Sequence, residues 1–345
     1  MTLPCIVLFG MEILSTSDEN ILKASKALSA GLLVAFPTET VYGLGADAFN
    51  PAALARIFEA KNRPRFDPLI IHIAELGALP RIADTSAMDK EAREKLTILS
   101  EKLWPGPLTF VLPKLKTVPA LATAGLETAA IRFPSHPVAQ KLIRLSTGAI
   151  AAPSANAFGC LSPTRAEHVK AQLGERVDFI IDGGRTEVGL ESTVLDLSAN
   201  TAGGTPRILR PGGTPREAIE ALIGPVEFCI GASRNGVEKP VSPGQLKSHY
   251  APTTPLILHK YGELSSLPET PGEGRLYFSY SGKFATPERT RALSKTGNLA
   301  EAASNLFDML HDLDRMGLRL IRAEEAPGGG LGEAINDRLR RAGSR

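Results

Sequence analysis

The stretch that decides the fold is GLLVAFPTETVYGLG, residues 31–45. Gly31 follows a segment whose pattern predicts a helix over residues 18–30, with the glycine in the expected C-terminal position. Residues 32–36 form a short apolar run typical of a buried strand, and Pro37 closes that run. A polar turn with two glycines comes next, and glycines allow backbone N–H groups to approach a ligand closely. The stretch therefore predicts a helix, a strand and a candidate ligand-binding turn in succession.

This turn matches neither of two common phosphate-binding motifs. A Walker A loop needs Gly-Lys-Ser/Thr after its glycines, and Ala48 stands where a GxGxxG motif needs its third glycine. Taken alone, the turn is as consistent with an ordinary tight connection as with a binding loop.

Further short apolar runs lie between helical patterns over the next 165 or so residues. Some runs alternate with helices and others follow strand upon strand. The pattern therefore predicts a twisted, mixed α/β sheet with helices packed on it and not a regular βαβ repeat. The predicted strands are residues 69–73, 108–112, 129–133, 150–152, 179–181, 193–197 and 207–209, and the helices are residues 52–61, 89–103, 137–145 and 165–173.

A chain of 345 residues exceeds the usual size of one domain. After residue 224 the composition changes to a Gly- and Pro-rich stretch, which is typical of a linker or a functional lid. We therefore predict a catalytic domain over residues 11–224, a linker or lid over residues 225–254 and a small α/β domain over residues 255–345. The small domain has strand patterns at 256–259, 275–278 and 318–321, a final helix from residue 331 and an amphipathic helix with apolar positions Leu299, Ala302, Ala303, Leu306, Leu310 and Leu313.

The composition is that of an ordinary globular protein, with 43% hydrophobic and 22% charged residues. A net charge of +2 argues against a wholly basic nucleic-acid coat. The three cysteines, Cys5, Cys160 and Cys229, are far apart and form no CxxC pattern, so neither a disulfide framework nor a zinc site is expected. That cysteine usage favours a reducing, cytoplasmic location, and the absence of a long apolar run predicts no membrane span.

Two pairs of polar residues are the first candidates for chemistry. Lys61 and Arg63 stand at a predicted helix end before Pro64, and an arginine can bind a carboxylate or a phosphate with two parallel hydrogen bonds. The alternative is that both cations only complement the helix dipole. Ser154 and Asn156 leave a short strand at alternate positions, where hydroxyl and amide groups suit ligand atoms, although an Asx-turn explains them equally well.

Three further positions carry competing interpretations. His72 lies inside an apolar strand, where a histidine is more often a core residue than a catalytic base. His249 and Tyr250 lie between prolines in the predicted linker, so they are either a hydrophobic anchor or part of a cover for a site.

Together these segments resemble the threonylcarbamoyl-AMP synthase family with its YrdC-type catalytic domain. The KxR and SxN pairs of the family fall on Lys61/Arg63 and Ser154/Asn156. One departure is Asp67, which stands where an asparagine is expected, and its carboxylate would either repel a phosphate or help hold Mg²⁺. Stretches 37–45, 103–112, 131–136, 190–197 and 209–213 match in order, and residues 242–252 with the extra domain resemble the longer form known from yeast, archaea and many bacteria.

The resemblance implies a YrdC-like twisted sheet with a concave groove, joined to a small Rossmann-like domain. It implies synthesis of L-threonylcarbamoyl-adenylate from L-threonine, bicarbonate and ATP with Mg²⁺, releasing pyrophosphate, without a metal site built by the protein. The product would feed a tRNA threonylcarbamoyl transfer complex, and tRNA binding is a further expectation. The implied residues are Lys61, Arg63, Ser154 and Asn156 for catalysis; Thr40, His72, Arg132 and Ser192 for threonine; Arg63, Asp67, Thr128, Ser154, Asn156, Thr164, Arg210 and Tyr250 for ATP; and His249 and Tyr250 for the lid.

Residues 255–345 show no evident catalytic set, so one alternative is a purely regulatory domain at the C-terminus. Two other functions compete with the one implied by the resemblance. The first is a binding module for tRNA or double-stranded RNA without chemistry, which the near-neutral charge and the lack of RNA-module aromatics disfavour. The second is a carbamoyl-transfer enzyme of hydrogenase maturation, a related family that adds zinc-finger cysteines which this chain does not have.

Overall fold

A computed structural model describes residues 10–198, 204–229 and 249–344 of the chain. The described part contains one mixed sheet of eleven strands and one parallel sheet of four strands, each with helices packed on it. The predicted fold class, a twisted mixed α/β sheet followed by a small Rossmann-like unit, is confirmed. Within the described residues no helix is both long and apolar enough to cross a membrane.

The large sheet has the strand order β1-β8-β2-β3-β7-β4-β6-β5-β9-β10-β11 and mixes parallel with antiparallel neighbours. Its strands are β1 (Glu12–Leu14), β2 (Val34–Phe36), β3 (Gly43–Asp47), β4 (Ile70–Ile73), β5 (Leu108–Pro113), β6 (Thr128–Arg132), β7 (Ala149–Ala151), β8 (Phe179–Ile181), β9 (Thr193–Asp196), β10 (Arg207–Arg210) and β11 (Glu227–Phe228). Its helices are α1 (Asp18–Ser29), α2 (Pro51–Lys61), α3 (Lys90–Leu103), α4 (Pro137–Leu145), α5 (Ala166–Leu173) and α6 (Arg216–Ile223).

The small sheet is parallel throughout, in the order β12-β15-β13-β14. Its elements are β12 (Leu256–His259), β13 (Glu273–Ser279), β14 (Thr290–Ser294), α7 (Leu299–Asp314), β15 (Leu320–Glu324) and α8 (Leu331–Ala342). The amphipathic pattern predicted for α7 is confirmed, because its apolar positions from Ala302 to Leu313 are buried in the core of this unit.

The large sheet is buried on both faces at its centre. Successive strand residues point to opposite faces, so Ala35 of β2 packs in one hydrophobic core while Val34 and Phe36 pack in another. In β4, Ile71 and Ile73 belong to the main core. The other face of β4 therefore stays free of that core.

The helix α2 is capped at both ends by residues that favour helix termini. The Asn50 side-chain oxygen accepts hydrogen bonds from the backbone N–H groups of Ala52 and Ala53 at 3.0 and 3.2 Å, and Pro51 occupies the first turn. The helix ends at Asn62, whose φ of 52° is left-handed. These caps bring Lys61 and Arg63 to a fixed position at the helix end.

The predicted turn at residues 37–45 is partly wrong, because Gly43–Asp47 forms the strand β3 between β2 and β7. A Cβ atom on Gly45 would lie 2.8 Å from the Phe36 ring and 2.9 Å from the Ile150 side chain. This glycine therefore allows two neighbouring side chains to pack over β3 and does not serve a ligand. The sequence patterns also missed the elements β1, α6, β11 and β14.

The two units share a hydrophobic core. Val41, Leu161, Leu190 and Tyr250 pack in one cluster with the apolar side chains of the small sheet and its helices. The last described strand of the large sheet ends at Phe228 and the small sheet begins at Leu256. Residues 230–248 of the predicted linker lie outside the described residues, and the predicted domain limits of 11–224, 225–254 and 255–345 stay predictions.

The close packing over β3 predicts a stability effect for Gly45→Ala. The added methyl group meets Phe36 and Ile150 inside van der Waals contact, so we expect the free energy of unfolding to fall by about 1–3 kcal/mol. Gly77→Ala is the matched control, because a Cβ atom there has only a carboxylate oxygen 4.0 Å away. Urea unfolding of both variants measures the effect, and equal stabilities would contradict it.

Candidate active site

A cavity lies on the face of the large sheet that the main core leaves free. Ile70 and His72 stand at alternate positions of β4 and both face it, and Arg132 at the end of β6 lies in register with His72. The predicted site residues that line the cavity are Thr40, Arg63, His72, Arg132, Ser154, Ser192, Arg210, His249 and Tyr250. The other lining residues are Thr38, Val41, Tyr42, Gly43, Ile70, Ala152, Pro153 and Glu191.

Lys61 lies behind this lining and is 1% exposed. Its ammonium group donates hydrogen bonds to the backbone oxygen of Ser154 at 2.6 Å, to the backbone oxygen of Asn156, and to the Asn156 Oδ1 at 3.4 Å. A lysine has three N–H donors, so all of them are used within the protein. Lys61 thus holds the loop that presents Ser154 to the cavity. Burial, and then the neighbouring Arg63 cation, put the pKa of Lys61 well below its usual value.

Asn156 also acts within the loop and does not face the cavity. Its Nδ2 atom donates hydrogen bonds to the backbone oxygens of Ala157 at 2.8 Å and Cys160 at 2.9 Å. Of the two predicted catalytic pairs, the structure therefore places Arg63 and Ser154 at the cavity, with Lys61 and Asn156 supporting them from behind.

Arg63 is buried against Asp67. The Arg63 Nη2 atom lies 2.9 Å from the Asp67 Oδ2 atom and also donates a hydrogen bond to the Pro68 backbone oxygen at 2.8 Å. Burial raises the pKa of Asp67, while Arg63 and then Lys61 oppose that shift. The residue that departs from the family pattern is thus an internal counter-ion of Arg63 in this structure.

A second buried ion pair joins Arg132 to Glu39, with 2.7 Å between Arg132 Nη2 and Glu39 Oε1. Neither oxygen of Glu39 makes a hydrogen bond to any described residue. Glu39 was not predicted as a site residue, although it stands in the quoted stretch 31–45 beside Thr40. The sequence feature that could have indicated Glu39 is the predicted burial of Arg132, because a buried arginine needs a carboxylate partner.

His72 is a neutral neighbour of Arg132. Burial, followed by the Arg132 cation, lowers the pKa of His72 to about 3. Its Nδ1 atom lies 3.1 Å from the backbone oxygen of Ile70. The side chain therefore offers the cavity a polar but uncharged imidazole at neutral pH.

The opposite wall is built by Arg210 and the segment before β9. The Arg210 guanidinium donates hydrogen bonds to the Ser192 backbone oxygen at 2.8 and 3.2 Å, and the Ser192 hydroxyl lies 2.7 Å from the Thr109 hydroxyl. Glu191 accepts hydrogen bonds from the Ser162 hydroxyl and, at 2.8 Å, from Arg338 of α8. Arg338 comes from the small domain and was not predicted, because no local pattern distinguishes it from other helix arginines.

His249 and Tyr250 cover the cavity. The two rings lie 4.1 Å apart, and Tyr250 is 1% exposed. The cavity beneath them has a volume of about 40 Å³, and one water molecule needs about 10–15 Å³ in the same measure. In this conformation the cavity has room for water but not for a nucleotide, since sites for ligands of that size usually measure several hundred Å³.

Four predicted ATP ligands lie outside the cavity lining, namely Asp67 and Asn156, whose contacts are given above, and Thr128 and Thr164. Thr128 begins β6, at the end opposite Arg132. The Thr164 hydroxyl is buried and lies 3.4 Å from the His168 Nδ1 atom. Their proposed roles toward ATP stay predictions.

The arrangement suits a ligand with more than one anionic group. Arg63, Arg132 and Arg210 surround the cavity, and the first two are paired with buried carboxylates. Thr40 and Ser192 add hydroxyl groups. Among the described residues no group of three or more side chains is placed to hold a metal ion.

Known proteins resemble the chain along most of its length. The chain is 43% identical over 338 residues to the threonylcarbamoyl-AMP synthase of Bacillus subtilis, covering 95% of this chain and 94% of that protein. The chain belongs to the threonylcarbamoyl-AMP synthase family. The threonylcarbamoyl-AMP synthase of Pyrococcus abyssi is 42% identical, with 92% of each chain covered.

The family comparisons cover both units of the chain. Residues 26–212 match the Sua5/YciO/YrdC family, described as telomere recombination, and residues 214–344 match the C-terminal domain of threonylcarbamoyl-AMP synthase. The crystal structure of P. abyssi Sua5 complexed with L-threonine superimposes with a TM-score of 0.83 at 39% identity, covering 96% of this chain and 97% of that one. A variant of that protein with a histidine and the next tyrosine replaced by alanine gives the same TM-score.

The hydrogen bonds of Lys61 predict that it contributes to stability. In Lys61→Met the buried oxygens of Ser154 and Asn156 lose their donor, so the free energy of unfolding should fall by about 2–4 kcal/mol. Lys26→Met, on an exposed face of α1, should change it by less than about 0.5 kcal/mol. Chemical denaturation measures the stability of both variants. An unchanged stability in Lys61→Met would show that the hydrogen bonds of Lys61 do not stabilise the fold.

The buried, neutral state of His72 predicts a pH-dependent stability. The unfolded imidazole takes up a proton near pH 6.5, whereas the folded one does so only at about pH 3, so acid favours the unfolded state between these values. From pH 7 to pH 5 we expect His72 to account for a loss of about 2 kcal/mol. In His72→Gln the total loss over this range should be smaller by that amount. Equal losses in both proteins would contradict the assignment.

Proposed function

We propose that this chain makes L-threonylcarbamoyl-adenylate from L-threonine, bicarbonate and ATP and releases pyrophosphate, which makes it a nucleotidyltransferase. The observation that carries the proposal is the convergence of Arg63, Arg132 and Arg210 on one covered cavity, with hydroxyl groups between them. The reaction brings together a carboxylate, a carbamate and a triphosphate, so it needs several cations in one place. The threonine complex of P. abyssi Sua5 supports the choice of amino acid.

The threonine end of the site is assigned to the side of Arg132. Its guanidinium is a fork that matches a carboxylate, and threonine's carboxylate can take the place of Glu39 beside it. Thr40 and Ser192 offer partners for the threonine hydroxyl, and neutral His72 adds a polar group without charge. The amine is then left free to react.

The nucleotide end is assigned to Arg63, Ser154 and Arg210. Arg63 and Arg210 neutralise charge on the phosphates, and the Ser154 hydroxyl is a further donor on the same side. Asp67 on this side is paired with Arg63, and Glu191 beside Ser192 is paired with Arg338. We therefore assign Mg²⁺ to the substrate, carried by the ATP phosphates.

The chemistry has two steps. The threonine amine attacks the carbon of bicarbonate, a C–O bond breaks and water leaves with a proton from the amine, which gives a carbamate; attack on carbon dioxide gives the same carbamate with loss of one proton. A carbamate oxygen then attacks the α-phosphorus of ATP, the bond to the β-phosphate oxygen breaks, and pyrophosphate leaves. No side chain is needed as a covalent nucleophile, because positioning and charge neutralisation suffice. His249 and Tyr250, repositioned over the bound substrates, would protect the labile carbamate from water.

An RNA-binding module without chemistry is the less favoured function. Full-length similarity to enzymes of one family and one cavity lined by three arginines favour catalysis. The tRNA-modifying partner that consumes the product, direct tRNA binding and a cytoplasmic location all stay predictions.

The proposal predicts an adenylate that mass spectrometry can detect. Incubation with Mg²⁺, ATP, bicarbonate and threonine should give threonylcarbamoyl-adenylate and an equal amount of pyrophosphate. Valine, which has a methyl group in place of the hydroxyl, should react at least about a hundredfold less efficiently because Thr40 and Ser192 would be left without a partner. Omission of bicarbonate should abolish the product.

Matched arginine variants provide the control for this experiment. Arg63→Met removes a cavity cation and should lower kcat/KM by at least about a hundredfold. Arg56→Met removes a half-exposed arginine paired with Asp178, outside the cavity lining, and should leave kcat/KM within about twofold. Normal adenylate formation by Arg63→Met would rule out the proposed site. If the unmodified protein forms no adenylate, the proposed reaction is ruled out.

A further inference from the structure

Tyr250 faces both units of the protein. It lines the cavity of the large domain, and its ring also belongs to the hydrophobic core of the small domain. Its ring centroid lies 5.8 Å from that of Phe307 on α7, and the Arg338 guanidinium of α8 lies over it at 4.9 Å. A side chain that closes the cavity is therefore seated in a pocket built by the small domain.

Arg338 contacts the wall of the cavity as well as its cover. It is fully buried, and its Nε atom donates a hydrogen bond to Glu191 Oε2 at 2.8 Å while its Nη1 atom donates one to Asp337 at 2.6 Å. Glu191 lines the cavity directly before Ser192. The central carbon of the same guanidinium lies over the ring of Tyr250 at 4.9 Å from its centroid, which is within the range of a cation–π contact.

The backbone of Tyr250 needs such contacts. Its φ of 61° lies in the left-handed region, which an aromatic residue rarely adopts. Strained conformations persist where surrounding contacts outweigh their cost. The next residue is held as well, because the Ala251 N–H donates a hydrogen bond to the Gly159 backbone oxygen at 2.9 Å.

We propose that Arg338 is a positioning residue that, together with Phe307, holds Tyr250 over the cavity, so that the small domain sets how often the active site opens. The covered cavity of about 40 Å³ excludes a nucleotide, so Tyr250 must leave its pocket before ATP binds. The apparent dissociation constant is then the intrinsic value divided by the open fraction. This inference rests on the proposed function for its consequence, but the contact itself is tested without any ligand.

Hydrogen exchange of the Ala251 amide, followed by NMR, tests the contact. In Arg338→Met this amide should exchange about tenfold faster, the effect of losing one buried cation–π contact. Amides within α8 should keep their rates. The matched control is Arg275→Met, which removes a buried arginine whose hydrogen bonds go to Leu264, Leu267 and other groups of the small domain only. It should leave Ala251 unchanged.

An unchanged Ala251 rate in Arg338→Met would overturn the inference, as would equal acceleration in Arg275→Met. If Arg338→Met does not fold because Glu191 is left as a buried charge, the double variant Arg338→Met/Glu191→Gln removes that charge and undergoes the same measurement.

Binding of a non-hydrolysable ATP analogue, measured by calorimetry, tests the consequence. Arg338→Met should tighten binding up to about tenfold in the otherwise unmodified protein, because the open fraction rises. In a Tyr250→Ala background, Arg338→Met should not change the affinity for the analogue, because the ring that Arg338 holds is absent. An equal change in both backgrounds would assign Arg338 a general structural role and overturn the inference. If no variant binds the analogue, the proposed function fails, while the exchange result still decides whether Arg338 holds Tyr250.

Discussion

The structure depends on burying four cations around one cavity. Lys61, Arg63, Arg132 and Arg210 are each 7% exposed or less. Removing a charge from water costs several kcal/mol per ion unless partners replace the lost hydration. The fold supplies three kinds of partner: backbone oxygens to Lys61, carboxylates to Arg63 and Arg132, and a carbonyl with a hydroxyl to Arg210.

These partners explain how the site can be stable by itself and still bind anions. Asp67 and Glu39 neutralise two of the arginines, yet beyond those ion contacts their oxygens make no hydrogen bond to the described residues. An anionic ligand group offers the same charge with better hydrogen bonding. Buried ion pairs of this kind contribute less to stability than to holding each guanidinium in one orientation, which is what a reaction between several anionic groups requires.

The same electrostatic constraint connects the two domains. Glu191 is buried at the edge of the cavity, and no neighbouring residue in the sequence is its ion-pair partner. Its partner is Arg338, almost 150 residues further along the chain, which also lies over Tyr250. The small domain, for which the sequence offered no catalytic residues, therefore contributes directly to the wall and the cover of the site.

From the sequence alone, the local features of the protein could be predicted. Apolar runs and caps such as Asn50 with Pro51 indicate strands and helices, because those signals act over a few residues. The resemblance to a known family also named Arg63 and Ser154, and both line the cavity. Only the tertiary structure decided that Lys61 faces its own loop, that Gly45 makes room for neighbouring side chains, and that Arg338 reaches Glu191. The physical reason is that hydrogen bonds, close packing and buried ion pairs depend on which distant segments become neighbours, and no local pattern records that.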